Sequence, residues 1–154
     1  MFSSNKKMIT LILVIIFLII FDRLFKFLVI NFSGSSVRAL GDIFKINFAE
    51  NYNIAFSLPL GGLTLNIFIC FIVLSLVYYF IYLVNKKRLE AAIFLLAVIL
   101  GATSNLLDRL KYGYVIDYFD LKHFTVFNLA DVMIVGGMAG LLWFLRGLDV
   151  KKEM

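Results

Sequence analysis

The sequence contains only one cysteine, one proline and one histidine, and charged residues make up 16% of its 154 positions. Because Cys70 is alone, the chain can form neither an internal disulfide nor a cysteine-type zinc site. A Ser-His-Asp or Cys-His catalytic system would have to use His123, and no Gly-x-Ser-x-Gly motif is present. No His/Glu set has zinc-ligand spacing, and no glycine-rich phosphate loop or dinucleotide fingerprint occurs. We therefore predict no metal and no cofactor.

Apolar residues, by contrast, make up 62% of the chain, and the mean hydropathy is +0.97. A soluble domain is about half apolar and about a quarter charged, and a chain this short has too little interior to bury the excess. Four stretches are apolar over the length of about 20 residues that a membrane-spanning helix needs. They lie at about 8–30, 63–84, 89–107 and 129–145. We predict one all-α integral membrane domain over residues 1–154, with soluble tails at about 1–7 and 147–154.

Two features of these spans bear on how they are used. Lys6 and Lys7 before the first apolar run resemble the start of a signal peptide, but no Ala-x-Ala cleavage site follows, so we expect this span to be retained.

In the fourth span, Gly136 and Gly140 form a Gly-x-x-x-Gly pair. Such a pair predicts that the fourth span packs closely against another helix of the chain; dimerisation of the protein through this span is the less favoured alternative.

The distribution of lysine and arginine predicts the orientation in the membrane. If the N-terminus is cytoplasmic, the inner ends and loops carry a strong positive excess, whereas the charges of the outer ends and loops balance. We therefore expect both termini in the cytoplasm and two outer loops, at about 31–62 and 108–128. Residues 42–50 and 112–119 have the alternation or the β-branched and aromatic content of strands, and 51–56 resembles a turn and another strand. We expect a small β-sheet on the outer membrane face.

Polar and ionisable side chains are costly in a membrane and therefore indicate function. In this chain they gather at the outer ends of the predicted spans. They are Asp22 and Lys26 in the first span, Asn105, Asp108 and Arg109 in the third, Asn128 and Asp131 in the fourth, and Asp117 in the last outer loop. An ordinary interfacial role, such as a helix N-cap at Asn128, would explain any one of them but not their convergence at one depth. Two carboxylates held close share a proton, so one can take a proton from water while the other donates to a carbonyl oxygen.

At these positions the sequence resembles the lipoprotein signal peptidases (signal peptidase II), bacterial membrane enzymes that remove signal peptides from lipid-modified prolipoproteins. The matching segments, in order, are Asp22-Arg23-Leu24-Phe25-Lys26, Asn51-Tyr52-Asn53-Ile54-Ala55-Phe56-Ser57, Asn105-Leu106-Leu107-Asp108-Arg109, Val115-Ile116-Asp117-Tyr118-Phe119 and Phe127-Asn128-Leu129-Ala130-Asp131. Any one segment is weakly specific, but five in order on four spans are a strong signal.

The resemblance implies an aspartic endopeptidase in which Asp117 and Asp131 are the catalytic pair. The residues that would bind substrate or support the site are Asp22, Lys26, Asn51, Asn105, Asp108, Arg109, Asn128 and Ala130. The substrate would be a diacylglyceryl-modified prolipoprotein, cut just before the lipidated cysteine and covered by the loop at 42–57. The enzyme would be a monomer in the bacterial cell membrane, with its site at the outer face, membrane phospholipid as a further partner and no nucleic acid.

The sequence also departs from the family pattern. The family usually has glycine where Asn53 and Ser104 stand, and a smaller or more polar residue than Phe25. These differences concern substrate fit or rate.

Other functions are consistent with parts of the pattern. A non-catalytic membrane scaffold or a transport subunit could use the acids as a polar relay, although a relay would place charges at the centre of the bilayer. A rhomboid-like serine protease lacks a suitable serine motif and histidine placement.

Overall fold

The computed structural model describes residues 2–31, 37–40, 43–52, 62–123 and 125–153. The predicted turn and strand after Asn51, including Asn53, and part of the predicted covering loop lie outside these residues. In the described part, four helices and four strands occur in the order α1 (Phe2–Asn31), β1 (Val37–Leu40), β2 (Phe44–Asn51), α2 (Gly62–Asn85), α3 (Leu89–Tyr112), β3 (Val115–Leu121), β4 (Val126–Phe127) and α4 (Leu129–Glu153).

The prediction of four membrane-spanning helices with a small sheet is confirmed. Among the residues described, all four helices are long and apolar enough to cross a membrane. Their bounds exceed the predicted spans, since α1 begins at Phe2 and α4 ends at Glu153, within the segments predicted as tails. Adding a residue to an existing helix costs little, so helices continue beyond their apolar stretch. Helix α3 ends at Tyr112 and is capped by Gly113, whose φ of 86° is left-handed and whose N–H donates to the Arg109 carbonyl.

The helices alternate in direction. Helices α1 and α3 run in parallel, because Lys7 lies 3.7 Å from Glu90 near their starts and Lys26 lies 2.7 Å from Asp108 near their ends. A short turn at 86–88 makes α2 antiparallel to α3. Helix α4 starts where α3 ends and also runs antiparallel to it, since Asn128 next to its first residue contacts the α3 side chain of Asn105. The start of α1 and the end of α4 therefore lie at the same end of the bundle, and the strands lie at the opposite end.

Helix α3 is the centre of the bundle and packs against α1, α2 and α4. Glycine allows α4 to approach it closely, because a Cβ at Gly137 would lie 2.7 Å from the Phe94 carbonyl oxygen, and one at Gly140 would overlap the Phe94 ring. Gly136 is exposed, and a Cβ there would meet nothing within 4 Å. The prediction that both glycines pack against a neighbouring helix of the chain is thus confirmed for Gly140 and wrong for Gly136. Gly137, rather than Gly136, faces α3.

Adding one methyl group at Gly137 should destabilise the bundle. The Gly137→Ala variant must push α3 and α4 apart, and overpacking of this kind costs about 1–3 kcal/mol. The matched Gly136→Ala variant adds the same methyl group to open space and should leave the stability unchanged or slightly increased. Unfolding of both variants by sodium dodecyl sulfate in mixed micelles would measure the difference in free energy, and equal stabilities would contradict this packing.

The strands form a sheet at the end of the bundle where α1 and α3 end. Its order is β1-β2-β3-β4, and all neighbours are antiparallel. Strands β2 and β3 were predicted, whereas β1 and β4 are too short for an alternating pattern. The sheet attaches to α1 through an apolar cluster that contains Val29, Ile116 and Tyr118. This contact fixes β3 across the ends of the helices, and Asp117 lies on β3.

Candidate active site

The first turn of α4 positions Asp131. The Asn128 side-chain oxygen accepts the N–H of Asp131 at 2.9 Å, and the Asp131 carboxyl accepts the N–H of Asn128 at 3.2 Å. This reciprocal arrangement is a capping box, which satisfies N–H groups that the first turn of a helix leaves without partners. The carboxyl of Asp131 is therefore held against the end of its own helix, and Asn128 is an N-cap, the ordinary role that its sequence position allowed.

Strand β3 supplies the second acid. Asp117 is 2% exposed and accepts two side-chain amides, from Asn128 at 2.7 Å and from Asn51 at 2.9 Å. Asn51 reaches it because β2 and β3 pair with Asn51 opposite Val115, two residues before Asp117. Asn128 thus contacts both acids, Asp117 through its side-chain amide and Asp131 through its backbone N–H. Residues far apart in the sequence meet here at one point.

Helix α3 contributes the other wall of the site. The Asn105 side-chain amide donates to Asp131 at 2.8 Å, and its oxygen accepts from Asn128 at 3.1 Å and from Lys26 at 2.9 Å. Arg109 follows one helical turn later and interacts electrostatically with Asp131, Asp117 and Asp108. The two acids therefore have amide donors on several sides and a guanidinium within electrostatic range.

Burial controls the protonation of Asp117. Loss of solvent around the carboxyl raises the pKa of Asp117 to about 6, against the opposing effect of the Asn51 hydrogen bond. The negative charge of Asp131 raises it further, and the amide of Asn128 lowers it. The charge of one carboxyl therefore acts on the proton of the other. Burial therefore favours the protonated form of the Asp117 carboxyl.

Behind the two acids lies a buried charge cluster formed by Asp22, Lys26 and Asp108. The Lys26 ammonium is 2.7 Å from Asp108 and 3.2 Å from Asp22, and each of the three residues is at most 2% exposed. Arg23 reaches Asp108 from the surface at 2.6 Å, and the Ser104 hydroxyl donates to Asp22 at 2.6 Å. Buried charges require such partners, because an unpaired ion in a protein interior is costly.

Tyr118 is a site residue that the sequence did not reveal. Its hydroxyl donates to Asp22 at 3.1 Å and accepts the backbone N–H of Leu129 at 3.0 Å, while Asp22 also accepts the N–H of Ala130 at 3.2 Å. Burial raises the pKa of Tyr118, so the hydroxyl keeps the proton that it donates. Its neighbour Asp117 faces the other side of β3. Tyr118 and Asp22 thus join the strand that carries one acid to the helix that carries the other.

The sequence held only a partial signal for Tyr118, because a buried tyrosine needs a partner for its hydroxyl but the strand pattern does not identify that partner. Phe25, which departs from the family pattern, stacks on the Tyr118 ring with centroids 5.4 Å apart. Ser104, the other departure in the described residues, donates to Asp22 in addition to fitting a close helix contact. Both departures therefore have a local structural reason at the same point.

The structure brings all the sequence-predicted site residues to one end of the bundle. Helix α1 carries Asp22 and Lys26, β2 carries Asn51, α3 carries Asn105, Asp108 and Arg109, β3 carries Asp117, and Asn128, Ala130 and Asp131 begin α4. Ala130 is fully buried and contributes its N–H to Asp22, while its carbonyl faces Gly101 of α3. Its small side chain suits this close approach.

Residues 14–146 match the family described as Signal peptidase (SPase) II. The lipoprotein signal peptidase of Clostridioides difficile is 37% identical, and the match covers 92% of this chain and 98% of the relative. The lipoprotein signal peptidase of Haemophilus ducreyi is also 37% identical, and the match covers 98% of this chain and 97% of the relative. The lipoprotein signal peptidase of Halothermothrix orenii is 34% identical, over 86% and 92%. A solved bacterial membrane enzyme structure superposes with a TM-score of 0.76 at 25% identity, covering 94% of this chain and 93% of that chain. The chain belongs to the signal peptidase II family.

Proposed function

We propose that this protein is a membrane aspartic endopeptidase that removes the signal peptide from diacylglyceryl-modified prolipoproteins, cutting before the lipidated cysteine. Asp117 and Asp131 are its catalytic pair. The observation that carries the proposal is the placement of Asn128, which contacts both carboxyls at once. Two acids held by one residue in a largely buried site support hydrolysis by a shared proton, which needs two carboxyls close together.

The reaction follows from the different surroundings of the two acids. Asp117 is 2% exposed whereas Asp131 is only partly buried, so we assign the shared proton to Asp117, whose pKa is raised by burial. Asp131 takes a proton from a water molecule as the water oxygen attacks the scissile carbonyl carbon, and Asp117 gives its proton to the carbonyl oxygen. The tetrahedral intermediate then collapses. One of its hydroxyl groups returns a proton to Asp117 as the C=O bond re-forms, the C–N bond breaks, and the proton on Asp131 passes to the leaving amine of the lipidated cysteine.

The remaining polar residues hold the pair and meet the substrate. Asn51, Asn105 and Asn128 fix the carboxyl orientations through the hydrogen bonds described above. Arg109 places positive charge beside both acids and near the developing negative charge on the carbonyl oxygen. Asp22, Lys26, Asp108 and Ala130 support the site from behind.

The location of the pair suits a substrate that is itself anchored in the membrane. The acids lie where the helices end and the sheet begins, so a lipidated cysteine at the membrane surface meets them by diffusion in the plane. With the positive excess at the opposite end of the bundle, this end faces away from the cytoplasm of the bacterium and both termini lie inside. A scaffold or relay function is not favoured, because the polar residues form one closed cluster at an edge of the membrane.

A purified system tests the proposal directly. The protein, reconstituted in detergent or vesicles, should cleave a diacylglyceryl-modified prolipoprotein, and mass spectrometry should place the lipidated cysteine at the new N-terminus. The unmodified prolipoprotein is the matched control and should be cut far more slowly. Cleavage at another position, or none at all by folded protein, would contradict the proposed function.

The pH dependence of cleavage should report on Asp117. As the pH rises through about 6, Asp117 loses its proton, so kcat/KM should fall along a descending limb near that pH. The amide of Asn51 stabilises the carboxylate, so the Asn51→Ala variant should keep the proton to a higher pH and shift the descending limb in the alkaline direction. Rates of prolipoprotein cleavage across a pH series measure this shift.

A neighbouring asparagine provides the control for this shift. Asn47 lies on the same strand but donates to Asp120, which is not part of the pair. The Asn47→Ala variant should leave the limb in place. A limb that moves to lower pH in Asn51→Ala, or that moves equally in both variants, would rule out control of Asp117 by Asn51.

A further inference from the structure

A groove of about 500 Å³ lies between α1 and α3, near the ends of both helices. Its walls include Arg23, Phe27, Leu107, Leu110, Lys111 and Tyr112. Neither Asp117 nor Asp131 lines it. The groove is therefore a feature separate from the two acids, although it lies at the same end of the bundle.

The charge in the groove is positive where a ligand can reach it. Asp108, the acid in its lining, is 1% exposed, and its two oxygens lie against Arg23 at 2.6 Å and Lys26 at 2.7 Å. The Arg23 side chain is 38% exposed, and Lys111 is exposed. Among the described side chains, Lys111 has no acid within salt-bridge distance and lies over the Tyr112 ring at 4.8 Å. A ligand thus meets two cations at the mouth, while the acid is enclosed behind them.

The rest of the groove is apolar and open to the side. Phe27 is 61% exposed, Leu107 51% and Leu110 64%, although all three belong to membrane-spanning helices. Tyr112 is the last residue of α3, so the part of the groove next to Tyr112 lies at the end of the helix, beside the sheet. Tyrosine and lysine at a helix end are typical of the boundary between lipid headgroups and hydrocarbon.

We propose that this groove is a binding site for one anionic phospholipid of the membrane, with the phosphate at Arg23 and Lys111 and an acyl chain along Phe27, Leu107 and Leu110. Basic pockets between membrane helices on the cytoplasmic side bind anionic lipid headgroups, and the same attraction between a cationic pocket and a phosphate applies to this groove. The site is additional to the peptidase reaction and does not depend on it.

The charge of the groove decides between the lipids that could enter it. The diacylglyceryl group of a prolipoprotein has acyl chains but no phosphate, so it would leave Arg23 and Lys111 without a counter-charge. A zwitterionic phospholipid places a cationic group beside its phosphate and gains less from the two cations. An anionic headgroup such as that of phosphatidylglycerol complements both the apolar walls and the basic mouth.

Native mass spectrometry of the purified protein with equal amounts of phosphatidylglycerol and phosphatidylcholine tests the proposal. The wild-type protein should retain phosphatidylglycerol in preference, and Lys111→Gln should reduce this preference by about fivefold. The double variant Arg23→Gln/Lys111→Gln should reduce it further. Lys111 lies outside the buried cluster, so the single variant keeps the test independent of any loss of folding in the double variant.

Lys122→Gln provides the matched control, because Lys122 is also an exposed lysine near the sheet but does not line the groove. It should leave the lipid preference unchanged. Equal losses in Lys111→Gln and Lys122→Gln would indicate diffuse attraction and overturn the site. Displacement of phosphatidylglycerol by an equal amount of a diacylglyceryl-cysteine peptide would also overturn it, because the groove would then hold the substrate lipid.

Discussion

Replacing either Asp117 or Asp131 by asparagine is expected to reduce cleavage of a diacylglyceryl-modified prolipoprotein by about 10²- to 10⁴-fold. Asparagine has nearly the same shape and can still accept a hydrogen bond from Asn128, but it can neither take a proton from water nor give one to the carbonyl oxygen. Uncut, lipidated prolipoprotein should accumulate while the variant is still inserted and folded. Because the two acids share one proton, the double variant should be little worse than either single variant.

Asp120 is the matched control for this experiment. It lies on β3 with Asp117 but pairs with Asn47. The Asp120→Asn variant should therefore cleave at nearly the wild-type rate. Unfolding in sodium dodecyl sulfate would show that all three variants are folded. If Asp117→Asn or Asp131→Asn kept more than about a tenth of the wild-type rate, the pair could not be the acid and base of the reaction.

Loss of the Lys26 charge should have the largest effect on stability. The Lys26→Met variant keeps an apolar chain of similar length but leaves Asp22 and Asp108, both almost fully buried, without the ammonium that lies between them. Removing one partner from a buried ion pair costs about 3–5 kcal/mol. Two buried acids are then left with one partly exposed cation, Arg23, at 2.6 Å from Asp108 and 3.7 Å from Asp22. The free energy of unfolding in mixed detergent micelles measures this loss.

Two further variants separate the buried charge from general effects of substitution. Lys7 pairs with Glu90 at 3.7 Å on the surface, so Lys7→Met should cost at most about 1 kcal/mol. Adding Asp108→Asn to Lys26→Met should recover part of the loss, since Arg23 then faces one buried acid, Asp22, instead of two. A Lys26→Met variant as stable as Lys7→Met would show that the cluster does not hold the bundle together.

The parts of the fold that depend on local sequence could be predicted. The four spans follow from apolar length, and β2 and β3 follow from patterns within single segments. The site residues were recognisable because ionisable side chains are rare in membrane spans and because five short segments resemble one family. The matched registers that place Asn51 beside Asp117 depend on pairing between distant segments, and no pattern within either segment contains that information.

Other features could not be predicted for physical reasons that the structure makes plain. Asp22 accepts the N–H of Ala130, 108 residues further along the chain, so this helix cap has no local signal. Tyr118 looked like an ordinary strand aromatic, and only its packing against α1 reveals the role of its hydroxyl. Gly136 and Gly137 are adjacent, and which of them faces α3 depends on the rotation of α4 within the bundle.

The one-turn spacing of Asp22 and Lys26 also bears on how the protein is made. A ribosome releases the first helix well before the third, and the third brings Ser104, which stands 82 residues after Asp22. During that interval the nascent first helix would expose two opposite charges to lipid. Because the carboxylate and the ammonium can reach each other within this one helix, at 3.2 Å in the finished protein, they neutralise each other locally. The first helix can therefore remain inserted in the bilayer with these two charges paired until the later helices pack against it.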